Sequence, residues 1–71
     1  MKKIVDGIYK HRGYFIIKDE QGIHVDYDSA RSLLLFKTFT DAQIDIDMTH
    51  SDEAYKKWNN RKPVIVGEWK E

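Results

Sequence analysis

The sequence contains no cysteine, which excludes a disulfide framework, a thiolate metal site and a cysteine nucleophile. Long apolar runs are also missing. Even Leu33–Phe36 is far shorter than the roughly 20 residues that span a bilayer. The amino-terminal segment has two lysines but no apolar stretch of signal-peptide length. We therefore expect a cytoplasmic protein that does not enter a membrane.

An excess of charge of one sign is lacking too, since twelve basic and twelve acidic residues give a formal net charge of zero. Affinity for phosphates is largely electrostatic, so this balance argues against a strongly basic nucleic-acid binder. The charges are nevertheless segregated: Asp41–Glu53 contains acids without bases, and Lys56–Lys62 contains bases without acids. Solvated faces of successive helices explain this pattern, and a surface for a basic partner is the alternative.

Length and composition indicate a single small domain, residues 1–71. A chain of this size buries only about 60% of the surface that its unfolded form exposes. With 41% hydrophobic and 13% aromatic residues, it still has the composition of a folded globule. Little volume is left for an enclosed pocket.

The clearest helix is predicted over about 39–48, with Thr38 or Thr40 as the N-cap. One side of this helix carries an apolar stripe made of Phe39, Ala42 and Ile46. The other side is predicted to be polar and carries Asp41, Gln43, Asp45 and Asp47.

The residues before this helix have the composition of strands joined by tight turns. Asp6-Gly7 is a hairpin signal, so the first residues fold back as a short edge strand. Alternatively, these two residues form a bulge and the chain turns at 11–13. Both readings are compatible. Tyr14–Lys18 and Ile23–Tyr27 are the next predicted strands, the second with strict apolar–polar alternation.

Leu33–Phe36 is compatible with a buried strand or with the end of a short helix capped by Asp28 or Ser29. Periodicity does not separate these alternatives over four residues. We favour the extended conformation.

After the main helix, a short second helix is predicted over about 52–60, followed by a last strand over Val64–Trp69. The fold class is therefore α+β. The prediction is a small three- to four-stranded antiparallel sheet, packed on one face by the main helix and the short second helix.

His24, Asp26 and Asp28 follow each other at every second position. On a continuous strand they project from one face, where an imidazole and two carboxylates could hold a divalent metal or orient a base. The simpler interpretation is the solvated face of an antiparallel strand, which is normally polar. We favour the second interpretation and predict no metal site.

The segment 9–14, Tyr-Lys-His-Arg-Gly-Tyr, interleaves basic and aromatic residues at a hairpin tip. Basic side chains bind phosphates, while tyrosine stacks on bases. The alternative is a solvated hairpin whose tyrosines cover the edge of the core. The nucleic-acid candidates are Tyr9, Lys10, His11, Arg12, Tyr14 and Lys18.

A helix that opens Phe-Lys-Thr-x-x-x-Ala follows these strands, with the motif residues at Phe36, Lys37, Thr38 and Ala42. Three strands followed by such a helix resemble the arm-binding domains of some phage and transposon integrases. In those domains the sheet face enters the DNA groove. The resemblance therefore implies a DNA-binding role for the sheet and the Tyr9–Tyr14 hairpin.

Enzyme motifs are missing from the sequence. It has no glycine-rich phosphate loop, nucleophile elbow or paired-histidine helix. The serines fall in predicted caps or turns. We expect a protein that is not an enzyme and has no cofactor.

The function favoured by these observations is a small non-catalytic binding or adaptor protein that contacts another protein. In size and composition the chain looks like the accessory proteins of phages and mobile elements. Trp and Tyr are favoured interface anchors, and an edge strand, either Val64–Trp69 or the amino-terminal strand, could support a homodimer. The interface candidates are Trp58, Trp69, Tyr55, Asp41, Asp45 and Asp47. A nucleic-acid-binding module that uses the hairpin 9–18 is the alternative.

Overall fold

The computed structural model describes residues 2–50, 56 and 61–69. In chain order its elements are β1 (Lys2–Val5), β2 (Ile8–His11), β3 (Tyr14–Lys18), β4 (Ile23–Val25), a 3-10 turn (Ala30–Leu33), β5 (Leu34–Phe36), α1 (Phe39–His50) and β6 (Ile65–Glu68). The strands form one antiparallel sheet. Each strand pairs with its neighbours in sequence, from β1 at one edge to β6 at the other. The predicted α+β class is confirmed.

The sheet has six strands, so the prediction of three to four is wrong. The short strands account for the difference. The sequence indicated an amino-terminal edge strand and an extended Leu33–Phe36, but segments of four and three residues do not show that they pair within one continuous sheet. The prediction of two helices is corrected as well, because the described residues form one, α1. The segment predicted as the second helix, 52–60, lies outside the described residues except for Lys56, which is exposed and has helical geometry.

Two tight turns set the geometry of the first three strands. β1 and β2 are joined at Asp6-Gly7, where Gly7 has a φ of 84°. β2 and β3 are joined at Arg12-Gly13, where φ is 52° and 86°. A positive φ at both central residues is the geometry of a type I′ hairpin turn. The amino-terminal residues thus fold back as the predicted edge strand, and a second turn lies where the alternative placed it.

The Leu33–Phe36 segment combines the two alternatives. Ser29 caps a single 3-10 turn, with its Oγ accepting the N–H of Arg31 at 3.3 Å. Leu33 ends that turn, and the chain then extends as β5, between β4 and β6. The favoured extended conformation is confirmed from Leu34 onwards.

α1 packs on one face of the sheet and supplies part of the core. The core consists of Ile16, Ile23, Val25, Phe36, Ala42 and Ile46. Phe39 extends this core by packing on Tyr9, with 4.4 Å between the two ring centroids. Thr38 is the N-cap, since its Oγ1 accepts the N–H of Asp41 at 3.1 Å and donates to the Asp41 carboxylate at 2.9 Å. Within the part of the chain that the structure describes, no helix is long and apolar enough to cross a bilayer.

The acidic side of α1 is buried, so the prediction of a solvated polar face is wrong. Asp41, Asp45 and Asp47 are each no more than 5% exposed, and Ile44 between them is fully buried. α1 is therefore enclosed on more than one side. The acidic side chains are internal because basic and phenolic groups from the sheet side of the fold reach them, as described below.

The opposite face of the sheet lies away from α1. Ile16 and Val25 point into the core with the helix, so their neighbours along each strand point outward. Strand pairing aligns these outward residues in two rows. One row contains Val5, Ile8, Ile17 and His24, and the other contains Lys2, Lys10 and Phe15. This outer face therefore carries apolar residues beside two lysines.

Candidate functional site

Asp47 connects α1 to the β2–β3 hairpin. Its Oδ1 lies 2.6 Å from Nε2 of His11 and accepts a hydrogen bond of 2.8 Å from Nε of Arg12. The positive φ of Arg12 places this residue in the turn itself. A buried carboxylate is stable only when donors or cations meet it. The hairpin tip is thus fixed to α1 through His11, the last residue of β2, and Arg12, the first central residue of the turn.

Asp45 connects α1 to the 3-10 turn and to the end of β4. Its Oδ2 accepts hydrogen bonds from the hydroxyl of Tyr27 at 2.8 Å and from Nε of Arg31 at 3.1 Å, while Nη2 of Arg31 donates to Oδ1. Burial raises the pKa of Tyr27, and so does its hydrogen bond to the Asp45 carboxylate. The hydrogen bond with Asp45 raises the pKa of Arg31. The cluster therefore holds a neutral phenol, a carboxylate and a guanidinium in one fixed arrangement.

The structure brings four of the six nucleic-acid candidates together against α1. The ring centroid of Tyr14 lies 5.1 Å from that of Tyr27 and 5.5 Å from that of His50, and Tyr9 packs on Phe39. His11 and Arg12 both contact Asp47, as described above. These contacts use aromatic surface and hydrogen-bonding groups that binding to a base or a phosphate would also require.

The two remaining candidates, Lys10 and Lys18, are both exposed. Lys10 pairs with Phe15 on the outer face of the sheet, and its ammonium lies 5.5 Å from the Phe15 ring centroid. Lys18 pairs with the buried Ile23 and so belongs to the helix side. The six candidates therefore do not form one surface.

His24, Asp26 and Asp28 do not converge, because β4 ends at Val25. His24 instead lies with Nδ1 3.4 Å from Oδ2 of Asp19, and its ring centroid is 6.1 Å from that of Trp69. The two aspartates are exposed. Across residues 2–50, 56 and 61–69, no three His, Asp or Glu side chains are grouped so that they could hold a metal ion.

β6 is an edge strand with an apolar, exposed surface. One side pairs with β5, through Leu34↔Glu68 and Leu35↔Gly67. No other strand of the described residues pairs with its second side. Val64, Ile65 and Val66 are 48–58% exposed, and every residue of β6 is exposed. The strand thus combines apolar side chains with backbone hydrogen-bonding groups that no described strand pairs with.

Comparisons with protein-family models, with curated proteins and with solved structures find no match for this chain. The candidate site is therefore chosen from the geometry of the described residues alone. β6 is the candidate, because the edge at β1 carries two adjacent lysines, Lys2 and Lys3, which disfavour pairing with a further strand.

The interface candidates fall into three groups. Asp41, Asp45 and Asp47 are buried and hydrogen-bonded within the chain, so they do not form an outward acidic surface. Trp69, directly after β6, is half-buried. Tyr55 and Trp58 lie outside the described residues. A contact between any of these residues and a partner stays a prediction.

Sequence reasoning missed the internal contacts of Asp45 and Asp47, although the spacing contained a signal. Residues two apart on a helix point in nearly opposite directions, so the two aspartates could not share one solvated face. They flank the apolar stripe on its two sides, so each lies beside the face that packs on the sheet. The basic partners, Arg31 and Arg12, are too distant in sequence for a local pattern to identify.

Proposed function

We propose that this chain is a small non-catalytic binding protein that takes up a strand of a partner protein at the open edge of β6. The observation that carries this proposal is the exposed run Val64–Val66 on an edge strand. Strand addition gains main-chain hydrogen bonds from the edge and specificity from alternate side chains. Cytoplasmic localisation and a role as an accessory protein of phages or mobile elements stay part of the proposal.

A second copy of the chain is one partner that fits this edge. Antiparallel pairing of two β6 strands about Val66 places Val64 opposite Glu68 and brings no like charges together. The same pairing at β1 would bring lysines close to each other. Self-association through β6 is therefore the form of the proposal that can be tested with the protein alone.

The experiment compares two lysine substitutions at matched positions. Val66→Lys blocks the β6 edge, and Val5→Lys places the same charge on the β1 edge, at residues that are 58% and 53% exposed. Sedimentation velocity over a concentration series measures self-association. Capture from cell lysate measures binding to other proteins. We expect Val66→Lys to abolish association while Val5→Lys retains it. If both variants self-associate and capture other proteins to the same extent as the wild type, the proposal is contradicted.

Nucleic-acid binding is the second candidate, and one observation favours it. Lys2, Lys10 and Phe15 lie in one row on the outer face of the sheet, where Lys10 approaches the Phe15 ring. A row of cations beside an exposed ring suits contact with phosphates and one stacked base. The candidate surface for nucleic acid is thus this outer row, Lys2, Lys10 and Phe15, and not the hairpin tip, where His11 and Arg12 contact Asp47.

A further inference from the structure

A pocket of about 230 Å³ opens beside the turn that joins β3 to β4. It is lined by Asp19, Glu20, Gln21 and Trp69. Three of these residues belong to the turn, and the fourth follows β6, so the pocket lies where two distant parts of the chain meet. Its lining combines two carboxylates with one large aromatic ring.

The turn holds Asp19 in a fixed orientation. Its Oδ1 accepts the N–H groups of Gln21 at 2.8 Å and of Gly22 at 3.2 Å, and its own N–H donates to the Gly22 carbonyl at 2.9 Å. The Gly22 φ of 145° is unusual for a residue with a side chain. The second oxygen of Asp19 lies towards His24. A carboxylate with this much support keeps its position when a ligand binds.

Trp69 forms the other wall. Its backbone N–H donates to the carbonyl of Leu33, the residue before β5, which fixes Trp69 beside the start of that strand. Its indole N–H is buried and has no hydrogen-bond acceptor among the described residues. A buried donor is normally satisfied. The side chain therefore offers its aromatic surface to the pocket, while the indole N–H stays buried.

We propose that this pocket binds a guanidinium group, held over the Trp69 ring and next to the carboxylates of Asp19 and Glu20. Among aromatic residues, tryptophan attracts cations most strongly, and the planar guanidinium also stacks on it. Two neighbouring carboxylates accept its N–H groups. This site goes beyond the proposed strand addition and does not depend on it.

The test is an NMR titration of ¹⁵N-labelled protein with N-acetyl-arginine amide, and with the matching citrulline compound as the neutral isostere. The indole signal of Trp69 is assigned by comparison with Trp69→Phe. We expect the arginine compound to shift this signal and the amides of 19–22, and the citrulline compound to leave them unchanged. Equal shifts with both compounds, or no shifts with either, would overturn the proposal.

Charge-removing variants locate the site. Glu20→Gln and Asp19→Asn keep the size of the side chain, and asparagine retains an oxygen for the turn. Each is expected to weaken binding at least threefold, whereas Glu68→Gln, an exposed acid outside the lining, is expected to leave it unchanged. Equal affinity of all three variants for the arginine compound would overturn the assignment of the pocket.

Ethylguanidine has the guanidinium group but no peptide backbone. It therefore distinguishes a site for an arginine residue of a peptide from a site for free guanidines. Tighter binding of the capped arginine than of ethylguanidine assigns the pocket to an arginine residue of a peptide, whereas equal affinity assigns it to free guanidines. Both results support the guanidinium site. Val66→Lys retains binding of the arginine compound if the pocket is separate from the β6 edge, so failure of strand addition and failure of this proposal are distinguishable.

Discussion

Arg31 donates two hydrogen bonds from its guanidinium to the buried carboxylate of Asp45, across fourteen positions of the chain. The contact links the 3-10 turn before β5 to the middle of α1. The two residues are unequal in environment, because the side chain of Arg31 is 45% exposed and that of Asp45 only 2%. Arg31 thus compensates an internal charge from the surface, which makes it the more informative residue to change.

Arg31→Met is expected to lower the free energy of unfolding by about 3 kcal/mol. Breaking a buried ion pair costs about 3–5 kcal/mol, because the remaining charge is left uncompensated, and access of water to this site favours the lower end. Urea unfolding followed by circular dichroism measures the change. The double variant Arg31→Met with Asp45→Asn should recover part of the loss. A double variant less stable than Arg31→Met would contradict the role assigned to the pair.

Tyr27 is expected to make stability depend on alkaline pH. Burial raises the pKa of its phenol above the ordinary value of about 10. The stabilising effect of the neutral phenol is therefore complete below about pH 10. It is lost as the pH rises from there through the folded-state pKa, at up to about 1.4 kcal/mol per pH unit.

Urea midpoints measured between pH 7 and pH 11 test this expectation with Tyr27→Phe. At neutral pH the variant should be about 1 kcal/mol less stable, because it lacks the hydrogen bond to Asp45. Above about pH 10 it should lose stability less steeply than the wild type. If the urea midpoints of the two proteins fall equally steeply with pH above about pH 10, a group other than Tyr27 dominates the loss of stability.

Asp47→Asn is expected to loosen the β2–β3 hairpin. The substitution removes the negative charge that meets His11 and Arg12, so amides of residues 11–14 should exchange with solvent faster than in the wild type. Hydrogen exchange followed by NMR measures the effect residue by residue. Asp26→Asn, at an exposed position, is the matched control and should change nothing in this segment.

Binding of DNA through the outer row should depend on Lys2 and Lys10 and not on Lys18. Titration of the labelled protein with a short duplex and a single strand, at low and then physiological salt, measures binding. Phosphate contacts weaken steeply with salt. Lys2→Ala with Lys10→Ala should abolish the shifts, while Lys18→Ala, on the helix side, should retain them. An absence of shifts at low salt would remove DNA as a simple ligand.

Local chemistry predicted those parts of the fold that depend on a few adjacent residues. Asp6-Gly7 specified a turn, and Thr38 specified the start of α1, because both act through bonds to neighbouring backbone groups. The number of strands was not predictable in the same way. β5 is three residues long and is defined by its partners in β4 and β6, which the local sequence does not contain.

The site was predicted less well than the fold. Acidic residues on a helix normally indicate a solvated face, yet Asp45 and Asp47 are internal because Arg31 and Arg12 reach them from other elements. The Val64–Trp69 run was predictable as a strand. Its exposure was not, because burial depends on how the rest of the chain covers it.

The order of strands in the sheet has a kinetic consequence. β2 to β5 are each paired with the strand before them through short connections, so β1 to β5 can assemble by local contacts. β6 is different: Leu34 pairs with Glu68 only after the chain has passed through α1, which makes its docking the pairing with the largest loop-closure cost. We therefore expect β6 to join the sheet last and to detach first. The strand proposed to bind a partner would then also be the strand that detaches most readily from the native sheet. Pairing with a partner strand would stabilise the attachment of β6 to β5.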